Sequence, residues 1–115
     1  MFIEIKKISL DEVKNLSENK EFLVLQGTGG DLNDWVHGFE DIFVENNIVP
    51  KDFKFEEVYS FKNEKINNLM LSLNSKDIDI GKLVILRLQL RQTHGAMWLS
   101  DYVDNYLKVD EHIDI

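Results

Sequence analysis

The chain has 115 residues, 43% of them hydrophobic and a single one proline, which is enough for one compact core and too few for two of ordinary size. Twenty-one acidic against thirteen basic residues give a net charge of −8, so nonspecific attraction to nucleic acid or to an anionic membrane is disfavoured over most of the surface. Cysteine is absent, which excludes disulfides and thiolate metal sites, and no apolar run approaches the roughly 18 residues that a membrane span needs. Met1-Phe2-Ile3-Glu4 lacks the basic-then-apolar layout of a secretion signal, so the expectation is a cytoplasmic protein forming one domain over 1–115.

Residues 2–8 alternate, with Ile3 and Ile5 on one side and Glu4 and Lys6 on the other, as a half-buried strand does. Ser9 and Glu12 have the spacing of a capping box, which starts a short helix with Leu10, Val13 and Leu16 facing inward. Phe22-Leu23-Val24-Leu25 then forms a continuous apolar run that suits a strand over 21–26 buried on both faces. It is stopped by Gly27-Thr28-Gly29-Gly30. Asp31 can cap the helix that follows, in which Leu32, Trp35, Val36, Phe39, Ile42 and Phe43 gather on one side. Asn33, Asp34, His37, Glu40 and Asp41 take the other side, and Asn46-Asn47 with Pro50 ends the element.

Over 53–61, Phe53, Phe55, Tyr59 and Phe61 fall on odd positions, a period of two that predicts an antiparallel strand. Ile66, Leu69, Met70 and Leu73 predict a helix over 63–73, followed by a polar connection to residue 80. Val84, Leu86, Leu88 and Leu90 alternate with Arg87, Gln89 and Arg91, which predicts a strand over 83–91. A turn at Gln92-Thr93-His94-Gly95 leads into a last helix over 96–107 with Trp98, Leu99, Tyr102, Val103 and Tyr106 as its apolar stripe. The acidic tail 109–115 is expected to fray. The fold expected is α+β: a single-layer, four-stranded mixed sheet with helices mainly on one face, in the order β-α-β-α-β-α-β-α. Leu23, Leu25, Gln26, Trp35 and Asp41 match Leu86, Leu88, Gln89, Trp98 and Asp104 at one constant offset, as two strand–turn–helix units solving one packing problem would.

The glycine turn stands at a helix N-terminus, where backbone amides can receive a phosphate, but no lysine follows it and Asp31 competes for the same amides. Arg87 and Arg91 are the two arginines of the chain; placed on one strand face with His94 in the next turn, they make its one cationic cluster. If the two turns lie side by side, Thr28, Gly29, Gly30, Arg87, Arg91 and His94 form a small-anion or nucleotide-type site. His37 with Asp34 and Asp41 has a metal-compatible spacing but reads as surface charge. Asp77 and Asp79 lack the glycine and terminal glutamate of a calcium loop, and Ser100 has no histidine partner in the sequence. No catalytic residue, metal or cofactor is assigned.

The segments Phe22–Val36 (strand, Gly-Thr-Gly-Gly, Asp-Leu-Asn-Asp-Trp-Val) and Leu83–Asp104 (strand, His-Gly, Trp-Leu-Ser-Asp-Tyr) resemble small acidic proteins of unassigned function carried on mobile genetic elements of low-GC Gram-positive bacteria. The two segments make up about a third of the chain. It implies an accessory cytosolic protein and carries over no site residue. Three functions follow as expectations. The first is a non-catalytic module that docks to another protein, with a DNA mimic that blocks a DNA-binding protein as its sharper variant. The second is the small-anion binder, an enzyme in its strongest form. The third is a homodimer closed through the aromatics of 53–61.

Overall fold

A computed structural model of the chain describes residues 3–27 and 30–107. The elements are β1 (Ile5–Lys7), α1 (Leu10–Leu16), β2 (Phe22–Gly27), α2 (Leu32–Glu45), β3 (Val58–Asn63), β4 (Ile66–Ser72), α3 (Ile80–His94), β5 (Met97–Trp98) and α4 (Leu99–Tyr102), which runs on as a π-helical turn (Val103–Leu107). One mixed sheet has the order β1-β3-β4-β2-β5. The β1–β3 pair is parallel, and the other three pairs are antiparallel. The α+β class stands; the sheet has five strands where four were expected, and the element order differs in the second half.

Local signals in the first half are obeyed. Ser9 Oγ accepts the Glu12 N–H at 3.3 Å while Glu12 Oε1 accepts the Ser9 N–H at 3.4 Å, closing the capping box of α1. Asp31 Oδ1 accepts the Asn33 N–H at 2.8 Å and starts α2. The expected start of β1 at Phe2 and the tail 109–115 lie outside the described residues.

The helices cover both faces of the sheet, not mainly one. Leu23 and Leu25 of β2 face Val36, Phe39 and Phe43 of α2 and Leu83, Leu86 and Leu90 of α3. Phe22 and Val24 face the other way and meet Val13 of α1, Leu99 and Tyr102 of α4, and Val103. A strand that is apolar on both sides requires this. Left uncovered, Phe22, Val24 and Met70 would each forgo about 1.5–3 kcal/mol of burial.

The second half departs from its expected elements, each time for a reason of packing. Phe53 and Phe55 belong to a loop that dips into the core edge-to-face, with centroids 4.9 Å apart, so only 58–63 pairs as a strand. Their odd-even spacing records that dip. The predicted helix 63–73 is instead β4, joined to β3 by a tight turn in which Glu64 takes φ +56°. Its run of Leu69, Met70, Leu71 and Leu73 satisfies either period, and insertion between β3 and β2 selects the strand.

The predicted strand 83–91 is the helix α3. Asp79 Oδ1 caps it by accepting the Lys82 N–H at 3.2 Å, and Gly95 ends it at φ +59°. The predicted last helix is broken: Met97 and Trp98 add a short edge strand to β2 before α4 begins. Leu23 therefore lies in a strand and Leu86 in a helix, so the two sequence-matched units differ in structure. Phe53, Phe55 and Phe61 are all buried within the chain, which removes the aromatic dimer face expected over 53–61. Among the described residues no helix is long and apolar enough to cross a membrane.

Tyr102 ties α4 to the β3–β4 hairpin, its hydroxyl accepting from Asn63 Nδ2 at 2.9 Å. Burial pushes its phenol above the ordinary value of 10.0, opposed by the Asn63 hydrogen bond. A raised pKa means that the folded state holds the proton longer than the unfolded chain. The contribution is thus fully present below pH 10 and is lost as pH rises through the folded value. In Tyr102→Phe, the loss of melting temperature above pH 10 is expected to be shallower than in the parent, and tyrosinate absorbance in the parent should show one phenol titrating late.

Candidate functional site

The end of β2 and the residues that end α3 meet at one end of the sheet. They enclose a cleft of about 540 Å³ lined by Gln26 and Gly27, by Arg91, Gln92, Thr93, His94 and Gly95, and by Lys65, Ile66 and Asn67 of the β3–β4 hairpin. Gly27, the first residue of the expected glycine turn, therefore shares a cleft with the residues that end α3. Its walls are set by close packing: a Cβ on Gly95 would stand 2.8 Å from Gln26 Oε1, so the end of α3 lies against β2.

His94 is half-buried. Its ring stands edge-on to Phe39, with centroids 5.2 Å apart, and tilted against Trp35 at 6.2 Å. Thr93 Oγ1 and His94 Nδ1 share a hydrogen bond of 2.8 Å. Arg91 and Lys65 are exposed at the rim, and among the described residues neither has a carboxylate within ion-pair distance. Two cations and an imidazole thus converge in a chain of net charge −8, an arrangement that can hold a carboxylate or phosphate by charge-assisted hydrogen bonds.

The other expected site residues are distributed differently. Arg87 shares a helix face with Arg91, not a strand face, and its guanidinium lies over Trp98 at 5.3 Å and donates to the Ala96 carbonyl at 3.4 Å. It braces β5 against α3, and its Nε is buried without a partner. Gly30 lines a smaller cleft of about 220 Å³ with Gly27, Trp35, Lys7 and Lys62. Thr28 and Gly29 lie outside the described residues.

A further groove of about 470 Å³ lies at the opposite end of the β2–β4 pair, among Lys20, the 52–57 loop and Asp77. There Lys20 Nζ donates to Glu57 Oε2 at 3.0 Å; that bond, and the charge behind it, raise the lysine pKa. His37 engages Glu40 at 2.9 Å, a partner other than the Asp34 and Asp41 expected from spacing. Among the described residues no three histidine, aspartate or glutamate side chains are placed to hold a metal ion.

The second feature is the outer face of α3. Leu83, Leu86 and Leu90 point into the core, while Ile80, Val84, Ile85 and Leu88 are exposed, Ile85 to 65%. The helix thus carries aliphatic side chains on its outer face as well as on the face that fills the core. From Ile80 to His94 there is no acidic residue, although the chain holds twenty-one. That gap was the available signal for this surface: 80–94 carries more aliphatic side chains than one core-facing stripe uses. Gln26, Lys65 and Asn67 of the cleft have no comparable signal, since the period over 63–73, where two of them lie, predicts a helix. Compared with known proteins, the chain matches no family model, no curated protein and no solved structure.

Proposed function

We propose that the protein is a non-catalytic interaction module that works by docking a folded chain against the outer face of α3. One observation carries this: Ile80, Val84, Ile85 and Leu88 form a contiguous aliphatic stripe in water on a well-capped helix whose inner face is already fully used. Scattered exposed leucines need no explanation, whereas four large aliphatics on one helix face are an apolar patch of the kind that marks an interface. The accessory role implied by the resemblance to mobile-element proteins fits a module of this type. The DNA-mimic variant gains nothing from this geometry, because a phosphate-like row of carboxylates is interrupted by the acid-free α3.

Leu88→Asp leaves Leu83, Leu86 and Leu90 untouched and is expected to retain the helical circular dichroism of the parent. Tagged parent and tagged Leu88→Asp are compared as baits in a lysate of a low-GC Gram-positive bacterium to which the untagged chain has been added. The parent should retain at least one protein, the chain itself included, that the variant loses. Identical sets from the two baits would refute the reading.

A second reading is favoured by the cleft itself, where Arg91, Lys65 and His94 line one space between the end of β2, the β3–β4 hairpin and the end of α3. Under it, the protein binds a small carboxylate- or phosphate-bearing ligand. Thermal shift against nucleotides, sugar phosphates and carboxylates should yield a ligand that raises the melting point by mass action, and Arg91→Ala should abolish the shift. Hits that survive Arg91→Ala would place the ligand elsewhere.

A further inference from the structure

We infer that the occupant of the α3 face is a second copy of this chain, packed with its own α3 antiparallel across a two-fold axis between Val84 and Ile85. This rests on the docking reading above and names its partner. The stripe is self-complementary about that point. Antiparallel packing sets Val84 of one copy opposite Ile85 of the other, and Gly81 opposite Leu88, so the residue without a side chain receives a leucine. An isologous contact of this kind closes on itself and leaves no unpaired stripe at either end.

Charge supplies the second argument. The N-terminal end of α3 carries exposed Asp77 and Asp79 with Lys76 exposed before them, and the C-terminal end carries exposed Arg91 with His94 beside it. Lys82, the one cation in the first turn, is drawn aside by its hydrogen bond to the Asn47 carbonyl at 3.2 Å. Arg87 is held over Trp98. In the antiparallel pair, each Arg91 comes to the partner's N-terminal end of α3, where Asp77 and Asp79 precede the helix, twice by symmetry. The two helix dipoles also oppose one another. Parallel packing would instead set Arg91 against Arg91 and Asp77 against Asp77. For a chain of net charge −8, an acid-free helix is also the surface on which two copies meet with least repulsion.

Light scattering on the full chain tests this, with 13.5 kDa as the monomer mass. The parent should have twice that mass at tens of micromolar, and Ile85→Asp should be monomeric with unchanged circular dichroism. Arg91→Glu should weaken the dimer roughly tenfold, and adding Asp77→Lys should restore most of that loss, since two exposed pairs are exchanged in sign. The absence of cysteine makes the geometry directly readable. Under mild oxidant Ile85→Cys, next to the axis, should cross-link to a covalent dimer, and Gln92→Cys, far from it, should not.

A parent that stays monomeric near millimolar concentration overturns the second copy while leaving the docking reading to the comparison of baits. Equal cross-linking at both positions, or no recovery in the charge-swapped double variant, overturns the antiparallel arrangement.

Discussion

Gly27→Ala is expected to lower stability by about 3 kcal/mol, a fall in melting temperature on the order of 10 °C, because the added methyl overpacks a filled site. A Cβ at this position would lie 2.0 Å from the Trp35 ring. The indole cannot simply swing away. It is half-buried against the α2–α3 side of the sheet, tilted on Phe39 with centroids 5.7 Å apart and next to His94. Gly27 is thus required by the tryptophan that covers it and not by the turn alone. Because the same indole braces His94 at the cleft, the variant should also shift the His94 ring resonances. The pair Gly27→Ala and Trp35→Ala gives a double-mutant cycle. Strong non-additivity, with the double variant less destabilised than the sum of the singles, is the expected result. A Gly27→Ala protein that melts with the parent would show that the indole is free to move.

Glu40→Ala is expected to cost about 2–4 kcal/mol, since it deletes a charged acceptor and strands a buried donor. Read from the sequence, Glu40 belongs to the polar face of α2; in the structure it is 3% exposed. Its Oε2 accepts the Phe55 N–H at 2.7 Å, and its Oε1 meets His37 Nδ1 at 2.9 Å and Lys54 Nζ at 3.6 Å. The carboxylate thereby pins the 50–57 loop on α2 and holds Phe53 and Phe55 in the core. Glu40→Gln keeps an oxygen for Phe55 but turns an amide NH2 toward His37 and Lys54 in place of the second oxygen, so it should cost less, about 1 kcal/mol. Urea melts of the two variants check the pair of values. Equal costs would mean that the charge, and not the Phe55 hydrogen bond, carries the effect.

Much of the candidate site was visible in the sequence as residue types and little of it as geometry. Arg91 and His94 stand out in the sequence as a guanidinium and an imidazole near a turn, and the structure brings both to the cleft beside Gly27. Arg87 was grouped with them because a strand face and a helix face both join positions four apart. Only the position of Trp98 shows that its guanidinium is spent on an indole. The exposed face of α3 was hidden for a related reason. A segment with aliphatics on both faces has no helical period, and so its alternation was taken for a strand.

What the sequence determined by itself was the set of elements with local punctuation. Ser9 with Glu12, the double-sided run Phe22-Leu23-Val24-Leu25, and Asp31 with its three- and four-residue stripe each specify backbone geometry within a few residues, so no distant partner is needed to read them. What only the tertiary structure decided was the second half and the layering. Residues 66–72 fit both a period of two and a period of 3.6, whereas 80–94 alternates with no clear helical period. Their state was chosen by the space available: a gap between two strands for one, and a sheet face already lined by α2 for the other. The same long-range choice sends α1 and α4 to the opposite face. Burial is a property of the assembled neighbours, and no window of sequence contains them.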